Sequence, residues 1–187
     1  DADTGESRLR IDTAGGREVF ALRFTPDGRR ILSGARHHSV GVWDAETGLE
    51  VLGLHGHDHY VHDLALSPDG RILASAGRDQ TIRLWDMKTG QQVSLLRGHR
   101  TPVRSLSFSS DGQRLVSRSE DGLVKLWPAT TDPEGNALVV GNPGWLQNVA
   151  LSPDGQRLAS VVTDSFVVDL WHLPTRSRAL LTGHTGT

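Results

Sequence analysis

A repeat of about 42 residues runs through the chain and limits its fold more than any other feature. Tryptophan recurs at intervals of 42, 42 and 44 residues, as Trp43, Trp85, Trp127 and Trp171. A turn of the form Pro-Asp-Gly or Ser-Asp-Gly precedes each tryptophan at nearly the same interval, with its aspartate at Asp27, Asp69, Asp111 and Asp154. Two markers that share one period indicate an array of similar units that stack to bury a common core.

The second unit predicts what each repeat folds into. Four short apolar segments span residues 60–66, 71–76, 81–85 and 91–96, and turn-forming residues separate them. In the turns, Pro presets φ, Asp accepts hydrogen bonds from its own turn, and Gly accepts positive φ. Since the segments are nearly continuously apolar, the unit is predicted to be a four-stranded antiparallel sheet packed on both faces.

These motifs resemble the units of the Trp-Asp-repeat family over essentially the whole chain. The stretch from Gly56-His57 to Trp85-Asp86 matches the family pattern in full, and the next unit differs only where Pro128 replaces the final Asp. The first and fourth units depart further, with Gly15 and Asn142 in place of the expected histidine. The resemblance implies an all-β β-propeller of four-stranded antiparallel blades, most often seven in a complete ring.

The repeat also predicts the organisation of the chain. Residues 1–5 parallel residues 86–90, so the segment 7–11 is expected to be the outer strand of a preceding blade. About four blades are expected to follow, over residues 17–54, 60–96, 102–140 and 145–182, and residues 183–187 would begin a further repeat. We therefore expect a partial ring, whose open blade edges favour self-association of the isolated chain.

Composition argues against several classes of function. The 20 basic and 22 acidic residues nearly balance, so the chain lacks the excess positive charge expected for binding nucleic acid or an anionic membrane. The chain has no cysteine, which excludes disulfides and Cys-based zinc sites. No apolar run approaches the roughly 18 residues of a transmembrane helix. No cofactor is expected.

Two units contain His, Ser, Asp and Trp at the same spacing, a set that resembles a hydrolase triad. The sets are His57, Ser75, Asp79 and Trp85, and then His99, Ser117, Asp121 and Trp127. The family resemblance implies instead a buried hydrogen-bonded staple within each blade. Because the set occurs twice at one offset, the structural interpretation is favoured over a catalytic one. The first and fourth units, which carry His37 and Asp164 at the aspartate position, should have weaker staples.

A second group of residues has the chemistry of metal ligands. Imidazoles and carboxylates alternate between residues 55 and 63, as His55, His57, Asp58, His59, His62 and Asp63. Such donors suit Zn²⁺ or Ni²⁺. The staple already uses His57, however, and the side chains of a turn diverge, so no metal site is predicted here.

The resemblance also implies a binding surface, which we call the narrow face. In the family, partners contact the residues beside the start of each inner strand and the residue before the turn aspartate. The matching positions are Glu18, Phe20 and Arg36, then Tyr60, His62 and Arg78, then Pro102, Arg104 and Glu120, and finally Trp145, Gln147 and Thr163. Aromatic residues and arginines are frequent at binding hot spots, and these would suit an acidic or phosphorylated peptide.

The expected function is that of a non-catalytic protein–protein interaction scaffold within a larger multidomain protein. Its expected partner is a protein or peptide, with neither nucleic acid nor membrane as a ligand. The alternative is a regulatory or sensory propeller attached to a signalling enzyme, such as a kinase or an ATPase. An enzyme acting through this chain itself would need convergent ionisable groups that break the repeat, and none was found.

Overall fold

The structure is a computed structural model that describes residues 9–11, 18–36, 38–129, 138–140, 146–162, 167–175 and 177–182. These residues form sixteen strands and no helix, and each group of four consecutive strands makes one sheet. The first two sheets comprise β1 (Val19–Phe24), β2 (Arg30–Ala35), β3 (Ser39–Asp44), β4 (Glu50–His55), β5 (Val61–Leu66), β6 (Ile72–Gly77), β7 (Ile82–Asp86) and β8 (Gln92–Leu96). The other two comprise β9 (Val103–Phe108), β10 (Arg114–Ser119), β11 (Val124–Pro128), β12 (Leu138–Val140), β13 (Leu146–Leu151), β14 (Arg157–Val162), β15 (Val167–His172) and β16 (Ser177–Thr182).

The sheets are antiparallel meanders that stand side by side as blades. Within a sheet each strand pairs with the next one in the chain, and no described strand pairs with a strand of another sheet. The first strands of successive blades, β1, β5, β9 and β13, are neighbours, so they line the inner side of the arrangement. The second strand of each blade also packs on the first strand of the next. The predicted fold class, an all-β propeller with four-stranded antiparallel blades, is confirmed.

The hydrophobic core lies between the blades. One cluster joins Leu32 of the first blade to Leu64 and Leu73 of the second. Another joins Ala74 of the second blade to Leu115 of the third. Because Leu73 and Ala74 are adjacent in β6 and point to opposite faces of the sheet, both faces of this strand are buried. This burial explains the continuous apolar sequence of the second and third strands in each unit.

The first blade has one face that no described residue covers. Leu22 and Phe24 on β1 are 58% and 64% exposed. The equivalent of Leu22 in the second blade, Leu64, is fully buried against the first blade. The exposed face therefore has the composition that a neighbouring blade covers elsewhere in this structure.

Each first strand ends in the same hydrogen-bonded turn. In the second blade, the Ser67 hydroxyl and the Arg71 amide donate to one carboxylate oxygen of Asp69, at 2.6 and 3.0 Å. These hydrogen bonds lower the pKa of Asp69. Gly70 has φ of +72°, the left-handed conformation that favours glycine. The same contacts recur at the other three aspartates of the repeat, Asp27, Asp111 and Asp154.

Parts of the predicted organisation fall outside the described residues. These are residues 1–8, which include the start of the predicted outer strand, and residues 183–187, the predicted start of a further repeat. Residues 9–11 are described but form no strand, and Leu9 lies against Gly48. The described residues contain no helix that is long and apolar enough to cross a lipid bilayer.

A methyl group at Gly34 should disturb the packing of the first blade on the second. An added Cβ would lie 2.9 Å from Val61 Cγ1 and 3.3 Å from the Val61 carbonyl oxygen, so the two strands would have to separate. We expect Gly34→Ala to lower the free energy of unfolding by about 1–3 kcal/mol, the usual effect of overpacking a core. Urea unfolding measures this change.

The control for Gly34→Ala is Val51→Ala, which shortens a side chain that is 53% exposed. This variant should change the free energy of unfolding by no more than about 0.5 kcal/mol. Equal stability of Gly34→Ala and the unmodified chain would contradict the close approach of the two blades.

Candidate functional site

A β-bulge lies near the start of each first strand, at one of the narrow-face residues. The pairing of each first strand with the second skips a single residue, and the skipped residues are Phe20, His62, Arg104 and Gln147. Each is the second narrow-face residue of its unit. A bulge leaves its extra residue out of the regular alternation of the strand and redirects its side chain. The repeat thus gives the same exceptional backbone position to four different side chains.

A second backbone feature joins the other two narrow-face residues of a unit. The amide of Arg36 donates to the Glu18 carbonyl at 3.1 Å, and the amide of Arg78 donates to the Tyr60 carbonyl at 2.8 Å. Glu120 and Pro102 are joined in the same way at 3.0 Å. The first three units therefore each hold their first and third narrow-face residues together. In the fourth unit, Trp145 and Thr163 lie outside the described residues, and only the backbone of Gln147 is described.

Side chains from the first two blades converge on Tyr60. The ring of Phe20 stacks on the Tyr60 ring with centroids 5.8 Å apart. The guanidinium carbons of Arg36 and Arg78 lie 5.0 and 5.6 Å from the centroid of the same ring. Arg36 Nε also donates to the Tyr60 hydroxyl at 2.9 Å. The ring edge of His59 completes this aromatic and cationic cluster.

Ion pairs and His62 connect the cluster to the third blade. Arg36 Nη1 donates to Glu18 at 3.2 Å, and Arg104 Nε donates to Glu120 at 2.8 Å. Arg104 Nη1 lies 3.2 Å from His62 Nδ1, and because arginine only donates, this imidazole nitrogen accepts. Burial and the charge of Arg104 lower the pKa of His62 to about 4, so the ring is neutral at pH 7. His62 in turn contacts Phe20 edge to face.

The described narrow-face residues thus include three arginines and two glutamates, arranged around an aromatic centre. Phe20 is 42% exposed, which leaves apolar surface beside the charged groups. Such an arrangement can receive a ligand that carries both an apolar group and a charged group. It contains no activated nucleophile and no pair of groups placed for acid–base exchange with a substrate.

In the second unit, the four residues predicted to form a staple are linked in a buried chain of hydrogen bonds. Trp85 Nε1 donates to Ser75 Oγ at 2.9 Å, and Ser75 Oγ lies 2.7 Å from His57 Nε2. His57 Nδ1 lies 2.9 Å from Asp79. Burial alone would raise the pKa of Asp79, but hydrogen bonds from His57, Thr81 and the Asp58 amide lower it well below its ordinary value.

The third unit contains only part of this chain. Trp127 Nε1 donates to Ser117 Oγ at 2.7 Å, and Ser117 Oγ lies 2.7 Å from His99 Nε2. His99 Nδ1, however, has no hydrogen-bond partner. Asp121 instead accepts from the Ser119 hydroxyl and the Leu123 amide. The hydrogen bond from His99 to Asp121 that the sequence predicts is therefore absent from this structure.

One residue difference explains the missing contact. Gly77 in the second unit corresponds to Ser119 in the third. An added Cβ at Gly77 would lie 2.2 Å from Asp79 Oδ1 and 2.4 Å from His57 Nδ1, so a side chain there would force one of these two groups to shift. Ser119 carries a side chain at this position, and its hydroxyl donates a hydrogen bond to the Asp121 carboxylate.

In the first and fourth units, several staple positions lie outside the described residues. In the first unit, Trp43 Nε1 donates to Ser33 Oγ at 2.7 Å, whereas Gly15 and His37 lie outside the described residues. In the fourth unit, Asn142 and Asp164 also lie outside them.

The staple of the second unit has the order of contacts of a catalytic triad but not its accessibility. Ser75 is fully buried, and its oxygen already accepts a hydrogen bond from Trp85. A nucleophile needs an exposed oxygen that a substrate carbonyl can approach. This arrangement supports a structural role for the four residues.

Four of the six candidate metal ligands between residues 55 and 63 have other partners. His57 belongs to the staple, His59 Nδ1 accepts from the Tyr60 amide, and His62 faces Arg104. Asp63 is paired with Arg23 of the first blade at 2.9 Å. Among the described residues, no group of three or more His, Cys, Asp or Glu side chains is placed to hold a metal ion.

Asp63 has a role between blades that sequence reasoning missed. It accepts from Arg23 of the first blade, from its neighbour Leu64, and from the Leu106 amide of the third blade at 2.8 Å. Burial raises the pKa of Asp63, although these hydrogen bonds act in the opposite direction. Its signal in the sequence is a break in the repeat, since the equivalent positions are Ala21, Ser105 and Asn148.

Comparison with known proteins adds two findings. The sequence profile described as WD domain, G-beta repeat matches residues 8–44, 48–86 and 90–128, together more than half of the chain. The solved structure of U3-55K superimposes with a TM-score of 0.82 at 28% sequence identity, covering 95% of this chain. This chain spans 55% of the U3-55K chain, so it corresponds to about half of that protein. No curated protein matches the chain significantly.

A side chain at Gly77 should break the staple of the second blade. We expect Gly77→Ala to separate His57 from Asp79 and to lower the free energy of unfolding by about 1.5–3 kcal/mol, because the buried hydrogen bond between the imidazole and the carboxylate is lost. The matched control is Ser119→Ala, which keeps a Cβ at the equivalent position and removes only the hydrogen bonding of one hydroxyl, for a loss of about 1 kcal/mol. Urea unfolding of both variants tests this, and equal losses would contradict it.

His99 should respond to acid as an unpaired buried histidine. Burial and the nearby charge of Lys125 lower its pKa to about 4, from 6.5 for a free side chain. Between these pH values the unfolded chain binds a proton that the folded chain does not, so stability should fall as pH falls from about 6.5 to about 4. NMR titration of the ring measures the midpoint directly.

Removing the Ser119 side chain provides the companion measurement. In Ser119→Gly the carboxylate of Asp121 can reach His99 Nδ1, which should raise the pKa of His99 toward its ordinary value. A midpoint unchanged from that of the original chain would show that Ser119 does not control this contact.

Proposed function

Because the chain belongs to the WD-repeat family, whose domains generally serve as protein-interaction scaffolds, we propose that its narrow face is the surface that binds a protein partner. The family is typically non-catalytic, and the buried staples give the described residues no accessible triad. We further propose that these blades are part of a longer scaffold. The apolar face of β1 and the 55% coverage of U3-55K support that extension.

The observation that supports this proposal most directly is the convergence of three units on one cluster. Phe20, Tyr60 and Arg104 come from different blades, yet a continuous series of contacts through His62 connects them. Rigid aromatic groups ordered before binding lose little conformational entropy when a partner arrives.

A photoreactive residue can test whether this surface meets a partner. Benzoylphenylalanine at position 18, where Glu18 is exposed, should crosslink a discrete partner in a lysate of the organism that encodes the protein. The same residue at position 49, where Leu49 is 68% exposed away from the narrow face, should not yield that product. Mass spectrometry then identifies the crosslinked protein.

Truncation of the Tyr60 side chain tests the same surface quantitatively. Tyr60→Ala should reduce the crosslinked product about tenfold or more, the usual effect of removing an interfacial hot spot. Leu180→Ala, which shortens another exposed side chain, should leave the product unchanged, and circular dichroism verifies that both variants fold. Equal crosslinking at positions 18 and 49, or no effect of Tyr60→Ala, would refute the proposed surface.

A further inference from the structure

Two arginines from different blades contact the ring of Tyr60. Arg36 follows β2 of the first blade and Arg78 follows β6 of the second, and both guanidinium groups lie over the Tyr60 ring. Because the Arg36 Nε–H donates to the Tyr60 hydroxyl, the N–H groups on its two terminal nitrogens are the ones that can meet another acceptor. These N–H groups are the donors that bind a carboxylate, often with two parallel hydrogen bonds.

The two arginines differ in how far their charge is neutralised. Arg36 shares its charge with Glu18, whose side chain is 66% exposed. Arg78 makes no ion pair within the part of the chain that the structure describes. At the far end of the narrow face, Arg104 is paired with Glu120. The excess positive charge of the narrow face therefore lies on the Tyr60 side, at the junction of the first and second blades.

Glu18 shows what kind of group this junction accepts. Its carboxylate oxygen lies 3.2 Å from Arg36 Nη1, and its side chain is 66% exposed, so this edge of the guanidinium already binds a carboxylate on the solvent side. Phe20 stacks on Tyr60 and is 42% exposed, which places a partly exposed apolar ring on the same tyrosine that the arginines contact. A ligand suited to both features carries a carboxylate next to a hydrocarbon chain, as a glutamate side chain does.

We propose that the partner of the narrow face presents an acidic peptide segment, and that one of its carboxylates binds between Arg36 and Arg78 beside Tyr60. This inference rests on the proposed function, because it names the chemistry of the partner at the same surface. In the unbound protein Glu18 occupies part of the site and competes with the ligand for Arg36. The acidic segment displaces this carboxylate and pairs with Arg78.

The test is an NMR titration of the ¹⁵N-labelled chain with hexaglutamate, with hexaglutamine as the neutral probe. We expect saturable shifts at the backbone amides of Arg36 and Arg78 and at their Nε–H groups with hexaglutamate only. A hexapeptide of the same length with one phosphoserine among glutamines forms a third arm. Saturable binding of that peptide without binding of hexaglutamate would overturn the carboxylate assignment in favour of phosphate.

Three variants make the test specific. Arg78→Gln should weaken hexaglutamate binding by about three- to tenfold, because it removes a charge-assisted hydrogen bond. Glu18→Gln should strengthen binding by about two- to threefold, because it removes the competing carboxylate. Arg71→Gln, at a side chain that is 84% exposed in a Pro-Asp-Gly turn, should leave binding unchanged.

The gain of affinity in Glu18→Gln is the outcome that a purely structural role would not produce. If Arg78→Gln and Arg71→Gln weakened hexaglutamate binding equally, the peptide would be attracted only by the net charge of the protein. This result would overturn the proposal. Failure of hexaglutamate to bind, together with specific crosslinking at position 18, would refute the acidic ligand but keep the interaction surface. Failure of both experiments would refute the proposed function as well.

Discussion

The structure depends on the packing of sheets that are apolar on both faces. Leu73 and Ala74, adjacent residues of β6, enter two different cores, one shared with the preceding blade and one with the following blade. No blade can satisfy both faces alone, because its apolar surface exceeds what four short strands can bury among themselves. The hydrophobic effect therefore stabilises the row of blades and not the single unit. It also fixes how close successive blades come, as the contact of Gly34 with Val61 shows.

This close packing gives the narrow face its geometry. Bulges at the same place in each first strand redirect Phe20, His62 and Arg104, and a shared backbone hydrogen bond positions the residues around them. The supporting backbone is repeated, whereas the side chains differ from unit to unit. A rigid repeated scaffold can therefore carry an irregular binding surface, and ligand chemistry depends on which side chains occupy those positions. Tyr60 with its flanking arginines is the clearest case.

The staples show how far sequence reasoning reaches. The spacing of His57, Ser75, Asp79 and Trp85 indicated a hydrogen-bonded chain, and the structure contains each link of it. The same spacing predicted a link from His99 to Asp121, and the structure lacks it. The difference lies at a residue outside the motif, because the second unit has Gly77 where the third has Ser119, whose hydroxyl donates to Asp121. A motif specifies which groups can pair, but the free volume between them decides whether they do.

The sequence by itself determined the period, the four-stranded unit, the turns and the all-β fold, because each follows from residues close together in the chain. Turn hydrogen bonds such as those of Asp69 need only their immediate neighbours. Contacts across blades, in contrast, were decided by the tertiary structure. Asp63 reaches Arg23 and the Leu106 amide, and Tyr60 meets Arg36, only because the rotation and spacing of successive sheets bring them together. That rotation results from the packing of entire faces, which no local pattern of residues specifies.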